Sequence, residues 1–237
     1  MSILKSVKTY FEDFLGLFYP ELCAACQANL YQQEKVLCTK CLYELPRTYF
    51  HKVLGNPIEQ SFWGRVQIER AAAFYFFQKD SKYQHLLHML KYKKRNDIGI
   101  ELGRLYAADL VSEKVFNEID FLIPVPLHPK KRHKRGYNQS EMICKGLQEV
   151  LPAKMRTDIL YRKVFTETQT RKSRYERWEN VEDVFGVKNS GELDKKHILL
   201  VDDVITTGAT IEGCAQVLKK AANVTVSVAT LAFASIN

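Results

Sequence analysis

Apolar positions in this chain switch between two periods. Ile3, Val7, Phe11, Phe14 and Phe18 recur at helical spacing and predict an amphipathic helix over 3–18, packed on the protein or on a partner. Glu12 and Asp13 interrupt that stretch as a signal-peptide core. Ala71 to Phe77 reads as a strand. Tyr83, Leu86, Leu87 and Leu90 then return to helical spacing, as do Ile98, Leu102, Leu105, Tyr106 and Leu110 after Asp97, the expected N-cap. Phe121 to Val125 is a short apolar strand ended by Pro126, and Asn138 to Leu151 is helical. Ile198 to Val201 predicts a buried strand, Thr210 to Ala221 a helix, and Val224 to Phe233 a closing strand. Strands alternating with helices of this length predict an α/β protein with a mostly parallel sheet covered on both faces. Ligands of such sheets bind beyond the carboxyl ends of the strands.

The apolar runs are all shorter than the roughly 18 residues that a membrane-spanning helix needs, so no transmembrane segment and a cytoplasmic location are expected. Composition adds little: 46% hydrophobic and 26% charged residues describe an ordinary folded chain. Charge adds more. Of 35 basic and 27 acidic residues, segments 91–95, 128–137 and 162–177 hold fifteen basic and two acidic ones, leaving 20 basic against 25 acidic elsewhere. That concentration points to loops converging on a compact negative ligand, with nucleic acid as the rival.

Six cysteines fall into two groups. Cys23, Cys26, Cys38 and Cys41 form C-x2-C, eleven residues, then C-x2-C, the spacing with which two tight turns complete a four-thiolate shell. Redox pairs or disulfides are the alternative, and the doubled unit in a chain without a secretion signal favours structural Zn2+. Cys144 and Cys214 fall in predicted helices and read as small buried hydrophobes.

The run from Ile198 to Thr210 carries the most chemistry. An apolar strand leads into Asp202 and Asp203, whose carboxylates suit vicinal sugar hydroxyls or a hydrated Mg2+. Thr206, Thr207, Gly208, Ala209 and Thr210 then open a helix with the backbone N–H groups and hydroxyls that hold a phosphate. A receiver domain also places paired Asp after a strand, but it needs a full α/β domain downstream, and only 34 residues follow Asp203. Neither G-x-x-x-x-G-K nor G-x-G-x-x-G is present. The five Lys and Arg residues between His128 and Arg135 follow a strand end directly and read as a basic loop able to neutralise a diphosphate.

Val201-Asp-Asp-Val-Ile-Thr-Thr-Gly-Ala-Thr210 resembles the phosphoribosyl pyrophosphate (PRPP) motif of type I phosphoribosyltransferases. With the four cysteines, Pro124-Val-Pro126, Arg135-Gly-Tyr-Asn-Gln139, Thr168-Gln169, Arg177, Asn180 and Phe185, the chain is identified as a member of the ComF/GntX family of predicted phosphoribosyltransferases. That resemblance implies a type I phosphoribosyltransferase domain over 61–237 behind a zinc-ribbon-like module over 1–60. It implies that Asp202 and Asp203 are catalytic and hold the ribose hydroxyls, and that residues 206–210 enclose the 5′-phosphate. It assigns pyrophosphate to the loop after Pro126, with His128, Lys130, Arg132 and Arg135 as candidates, and a flexible lid to Thr168, Gln169, Arg174 and Arg177. The implied function is Mg2+-dependent phosphoribosyl transfer from PRPP to an unidentified acceptor, linked to competence and DNA uptake. A PRPP sensor without turnover, or a protein binding single-stranded DNA or competence-machinery proteins, is the alternative. Few residues follow the closing strand, so acceptor recognition is expected from the N-terminal half. There Tyr49, Phe50, Phe62, Trp63, Tyr75 and Tyr92 are candidates for stacking, although read first as core.

Overall fold

The computed structural model describes residues 20–31, 33–163 and 184–234. After the cysteine turns and a short helix α1 (Thr39–Tyr43), α2 (Pro57–Gln60) precedes the first strand, β1 (Ala71–Phe76). Three helices follow: α3 (Gln84–Tyr92), α4 (Asn96–Leu110) and α5 (Lys114–Asn117). Strand β2 (Phe121–Pro124) leads to α6 (Pro129–Arg135) and α7 (Gln139–Gln148), then to β3 (Lys154–Met155) and β4 (Leu160–Arg162). The remainder is β5 (Phe185–Val187), β6 (His197–Ile205), α8 (Ala209–Ala221) and β7 (Thr225–Phe233).

The central sheet has the order β1-β7-β6-β2-β3, and every pairing in it is parallel. A separate antiparallel pair joins β4 to β5. Side-chain alternation divides the core into two layers. Ala72, Phe74, Leu122, Leu199, Val201 and Leu231 pack under α3, α4 and α7, whereas Ala71, Ala73, Ile123, Ile198, Leu200 and Val228 pack against α8 with Ile58 and Phe62. The cysteine module shares the first layer: Cys23, Val36, Leu37, Cys41 and Leu45 belong to it, and the Tyr83 hydroxyl donates to the Cys41 carbonyl at 2.9 Å. Residues 47–56 also lie on β1, where Thr48 N–H donates to the Phe74 carbonyl and Asn56 Nδ2 to that of Ala71. Helices α4 and α7 approach closely because Gly146 has no side chain: a Cβ there would stand 1.9 Å from the Ile100 carbonyl oxygen. Cys144 and Cys214 are buried, and burial pushes both thiols well above their ordinary range.

Several expectations are corrected. Strand β6 does not stop at Val201; it runs through both aspartates to Ile205, because β7 pairs Asp202 with Thr230 and Ile205 with Phe233. Neighbouring backbone here overrides the low strand preference of Asp. The basic stretch after Pro126 is no loop: Pro129 at its first position, the His128 cap and Gly136 at φ +82° frame a helix over Pro129–Arg135. None of its residues is buried, so it left no apolar periodicity to read. Helix α4 begins at Asn96 with Arg95 as cap, and Asp97 sits in its first turn, ion-paired with Arg95 at 2.6 Å. Among the described residues, no helix is long and apolar enough to cross a membrane. The expected helix over 3–18 lies outside the described residues.

Candidate active site

The four cysteines assemble as the spacing requires. Their sulfurs all lie within 4.8 Å of one another, with Cys26 and Cys38 at 3.7 Å. That matches the edge of about 3.8 Å expected of a tetrahedron built on Zn–S bonds near 2.3 Å. Backbone N–H groups of Cys38 and Cys41 donate to the sulfurs of Cys23 and Cys38 at 3.4 and 3.5 Å, a pattern that favours thiolates over thiols. Four soft sulfur donors form a closed site fit for a structural metal.

At the carboxyl end of β6 the two aspartates differ. Asp202 Oδ1 accepts from the Ser140 hydroxyl at 3.1 Å and from the Asp203 N–H at 2.8 Å. Burial and the neighbouring Asp203 charge nonetheless raise its carboxyl to about 7. Asp203 instead faces a cation: its Oδ2 lies 3.0 Å from Lys91 Nζ at the end of α3. Ser140 reaches Asp202 because Asn138 caps α7, accepting from Ser140 N–H while its Nδ2 donates to the Val125 carbonyl.

Beyond β6, residues 206–210 form a tight turn into α8. Together with Asp202 they line a small hollow of about 40 Å³. Gly208 holds φ +77°, and a Cβ on it would meet the Phe62 ring at 2.9 Å. Arg65 clamps the same turn, donating to the carbonyls of Thr207 at 3.1 Å and Ser61 at 2.9 Å and pairing with Glu212. Thr206, Thr207, Ala209 and Thr210 remain exposed, and the Ala209 N–H at the start of α8 donates to Thr207 Oγ1 at 3.5 Å.

The basic helix α6 separates its side chains between two cavities. Arg132 and His133 line one of about 570 Å³, and Arg132 is paired there with Glu141 at 3.3 Å. Lys131, Lys134 and Arg135 line the other, of about 290 Å³, opposite Lys91, Tyr92 and Lys94. Two of the basic segments singled out in the sequence therefore meet across one cleft. Of the four pyrophosphate candidates only Arg135 reaches it; His128 caps α6 through Nδ1, and His128 and Lys130 line neither cavity. Thr168, Gln169, Arg174 and Arg177 lie outside the described residues. Among the aromatic candidates Phe62 and Tyr75 are core, Phe50 packs on Phe76 and Phe233, and Tyr49, Trp63 and Tyr92 are exposed. Sequence reasoning did not find Lys91 opposite Asp203, Ser140 on Asp202, or the Arg65 clamp. Lys91 at least stood in a flagged basic cluster, whereas the other two carried no signal of their own.

An all-parallel sheet with paired acids at one strand end and a hydroxyl-rich turn opening the next helix is the architecture of a phosphoribosyltransferase-type domain. Residues 141–236 match the family model described as phosphoribosyl transferase domain. Over nearly the full length, the chain is 28% identical to the DNA utilization protein YhgH of Escherichia coli O6:H1, across 90% of this chain and 91% of that one. It is 26% identical to competence protein F of Haemophilus influenzae, across 86% and 93%. Competence protein ComFC of Bacillus subtilis is 31% identical across 54% of this chain and 50% of its own. Together these likenesses support a ComF-type family of phosphoribosyltransferase-like proteins.

Proposed function

We propose that the chain binds PRPP with Mg2+ and transfers its phosphoribosyl group to a nitrogen acceptor in a competence-linked process, as the names of its relatives suggest for them. The observation that carries this reading is one strand end bearing a carboxylate pair, flanked by a phosphate-sized turn and by a cleft of cations. In the transfer, the C1′–O bond breaks with its electron pair departing on pyrophosphate. A C1′–N bond forms from the acceptor's lone pair, and the acceptor's proton passes to solvent. Asp202 and Asp203 would accept the ribose hydroxyls and orient C1′, the turn at 206–210 would hold the 5′-phosphate, and the Lys and Arg residues of the cleft would offset charge on the leaving group. The two carboxylates are hard oxygen donors fit to hold Mg2+ through its water shell, where it would supply further neutralisation of the diphosphate. The cysteine site would hold Zn2+ as a structural ion. The division at residue 60 is likewise a proposal.

The test is pyrophosphate release from PRPP across nucleobases, ammonia and single-stranded DNA. Acceptor-dependent release supports transfer; tight PRPP binding with no release under any acceptor refutes turnover and leaves a sensor. One observation favours a second reading, DNA binding: Tyr92 is 60% exposed beside Lys94, Lys131 and Lys134, an aromatic platform among cations. It predicts a salt-dependent affinity for single-stranded DNA that falls when Lys130, Lys131, Arg132, Lys134 and Arg135 are neutralised.

A further inference from the structure

Lys91 belongs to two neighbourhoods at once. Its ammonium lies 3.0 Å from Asp203 Oδ2, and the same residue lines the cleft that α6 faces with Lys131, Lys134 and Arg135. Both partners of the ion pair are largely shielded, with side chains 24% and 13% exposed, so the pair is screened less than a surface one. The cleft is held in shape from both sides. Tyr137, just after α6, donates its hydroxyl to the Leu90 carbonyl in α3, and the Arg135 guanidinium stacks over the Tyr92 ring at 5.4 Å. Lys94 is fixed in a left-handed conformation, φ +57°, at the end of the turn that follows α3. Arg135 also donates to Gln139 Oε1 at 2.6 Å, and the buried Gln139 Nε2 has no partner among the described residues. Among the described residues, five cations line this cleft and no acid does.

Resting on the PRPP reading of the site, we propose that Lys91 is a positioning and specificity residue that makes the carboxylate pair select diphosphate-bearing ribose phosphates over those without a diphosphate. A ribose diol that takes Asp203 as acceptor must displace the Lys91 ammonium, leaving it shielded and unpaired among like charges. A ligand whose diphosphate enters the neighbouring cleft gives that ammonium a new anionic partner and offsets the loss. Ribose 5-phosphate satisfies the diol and 5′-phosphate positions but offers nothing to Lys91. The ion pair is therefore a toll on every sugar phosphate, returned only to those that carry charge at C1′.

The test is calorimetric titration of the full chain with PRPP, ribose 5-phosphate and inorganic pyrophosphate, for wild type, Lys91→Met and Lys91→Arg, with circular dichroism to verify folding. Methionine keeps the aliphatic stem and removes the charge. The expected result is that Lys91→Met weakens PRPP and pyrophosphate by about tenfold or more, leaves or tightens ribose 5-phosphate, and that Lys91→Arg restores the preference for PRPP. Equal weakening of PRPP and ribose 5-phosphate would show a merely structural role and overturn the inference, as would an unchanged ratio of the two. If wild type binds neither sugar phosphate, the PRPP reading fails; pyrophosphate binding that still depends on Lys91 would then retain the cleft as a diphosphate site, and pyrophosphate binding indifferent to Lys91 would overturn that too. A single-stranded oligonucleotide that displaces pyrophosphate and loses affinity in Lys91→Met would assign the cleft to nucleic acid and refute the selection argument.

Discussion

Replacing Asp202 by Asn separates the demands of folding from those of ligand binding. Asp202 sits on a strand between paired neighbours, next to a second acid, and its carboxyl is raised from an ordinary 3.8 to about 7, by burial first and the Asp203 charge second. A proton held more tightly in the folded than in the unfolded chain stabilises folding at low pH. That contribution is complete below about pH 4 and is lost as the pH rises through about 7. The interval corresponds to on the order of 4 kcal/mol, and because Asp202 keeps part of its surface in solvent, we expect about 2 to 4 kcal/mol to be realised. Asn keeps the Oδ1 that accepts from Ser140 and from the Asp203 N–H, and it has no charge to lose. Urea denaturation of both proteins from about pH 4 to pH 8, in chelator and without ligand, isolates the aspartate pair, since titrations away from it are common to the two curves. Asp202→Asn should gain on wild type steadily across that range, ending about 2 to 4 kcal/mol further ahead, and level off above pH 8. A difference between the two proteins that is independent of pH, or that shrinks as pH rises, would refute the reasoning.

Other consequences follow from contacts around the same turn and from the cysteines. Gly208→Ala forces a Cβ to 2.9 Å from the Phe62 ring at φ +77° and should cost about 1 to 2 kcal/mol in thermal or chemical unfolding. Arg65→Ala removes the donors to Thr207 and Ser61 and should weaken ribose 5-phosphate about three- to tenfold by titration, with pyrophosphate affinity unchanged. Elemental analysis should find one Zn2+ per chain, and Cys23→Ser with Cys41→Ser should lose it. Because both cysteines belong to the layer under α3 and α4, the same variant should also unfold at lower temperature.

The parallel sheet was legible because β2, β6 and β7 are apolar runs buried on both faces, and the cysteine site because ligand spacing is itself the geometry. The boundaries of β6 and the helical state of 129–135 were not legible. One depends on a partner strand distant in sequence, and the other on caps and a glycine with no buried face to mark it. The acids and the turn at 206–210 could be named because they are contiguous. Their supports could not: Lys91, Ser140 and Arg65 lie about 60 to 140 residues from what they touch, and only the packing of α3, α7 and the segment after α2 brings them there.

We read the strand end at Asp202 and Asp203 as a PRPP site. Its most direct test is isothermal titration of the purified chain with PRPP and Mg2+, set beside the folded Asp202→Asn, Asp203→Asn variant. Saturable binding of one PRPP per chain is expected, weakened about a hundredfold or more in the variant. Undiminished affinity in the variant, or no binding to the wild type, would contradict it.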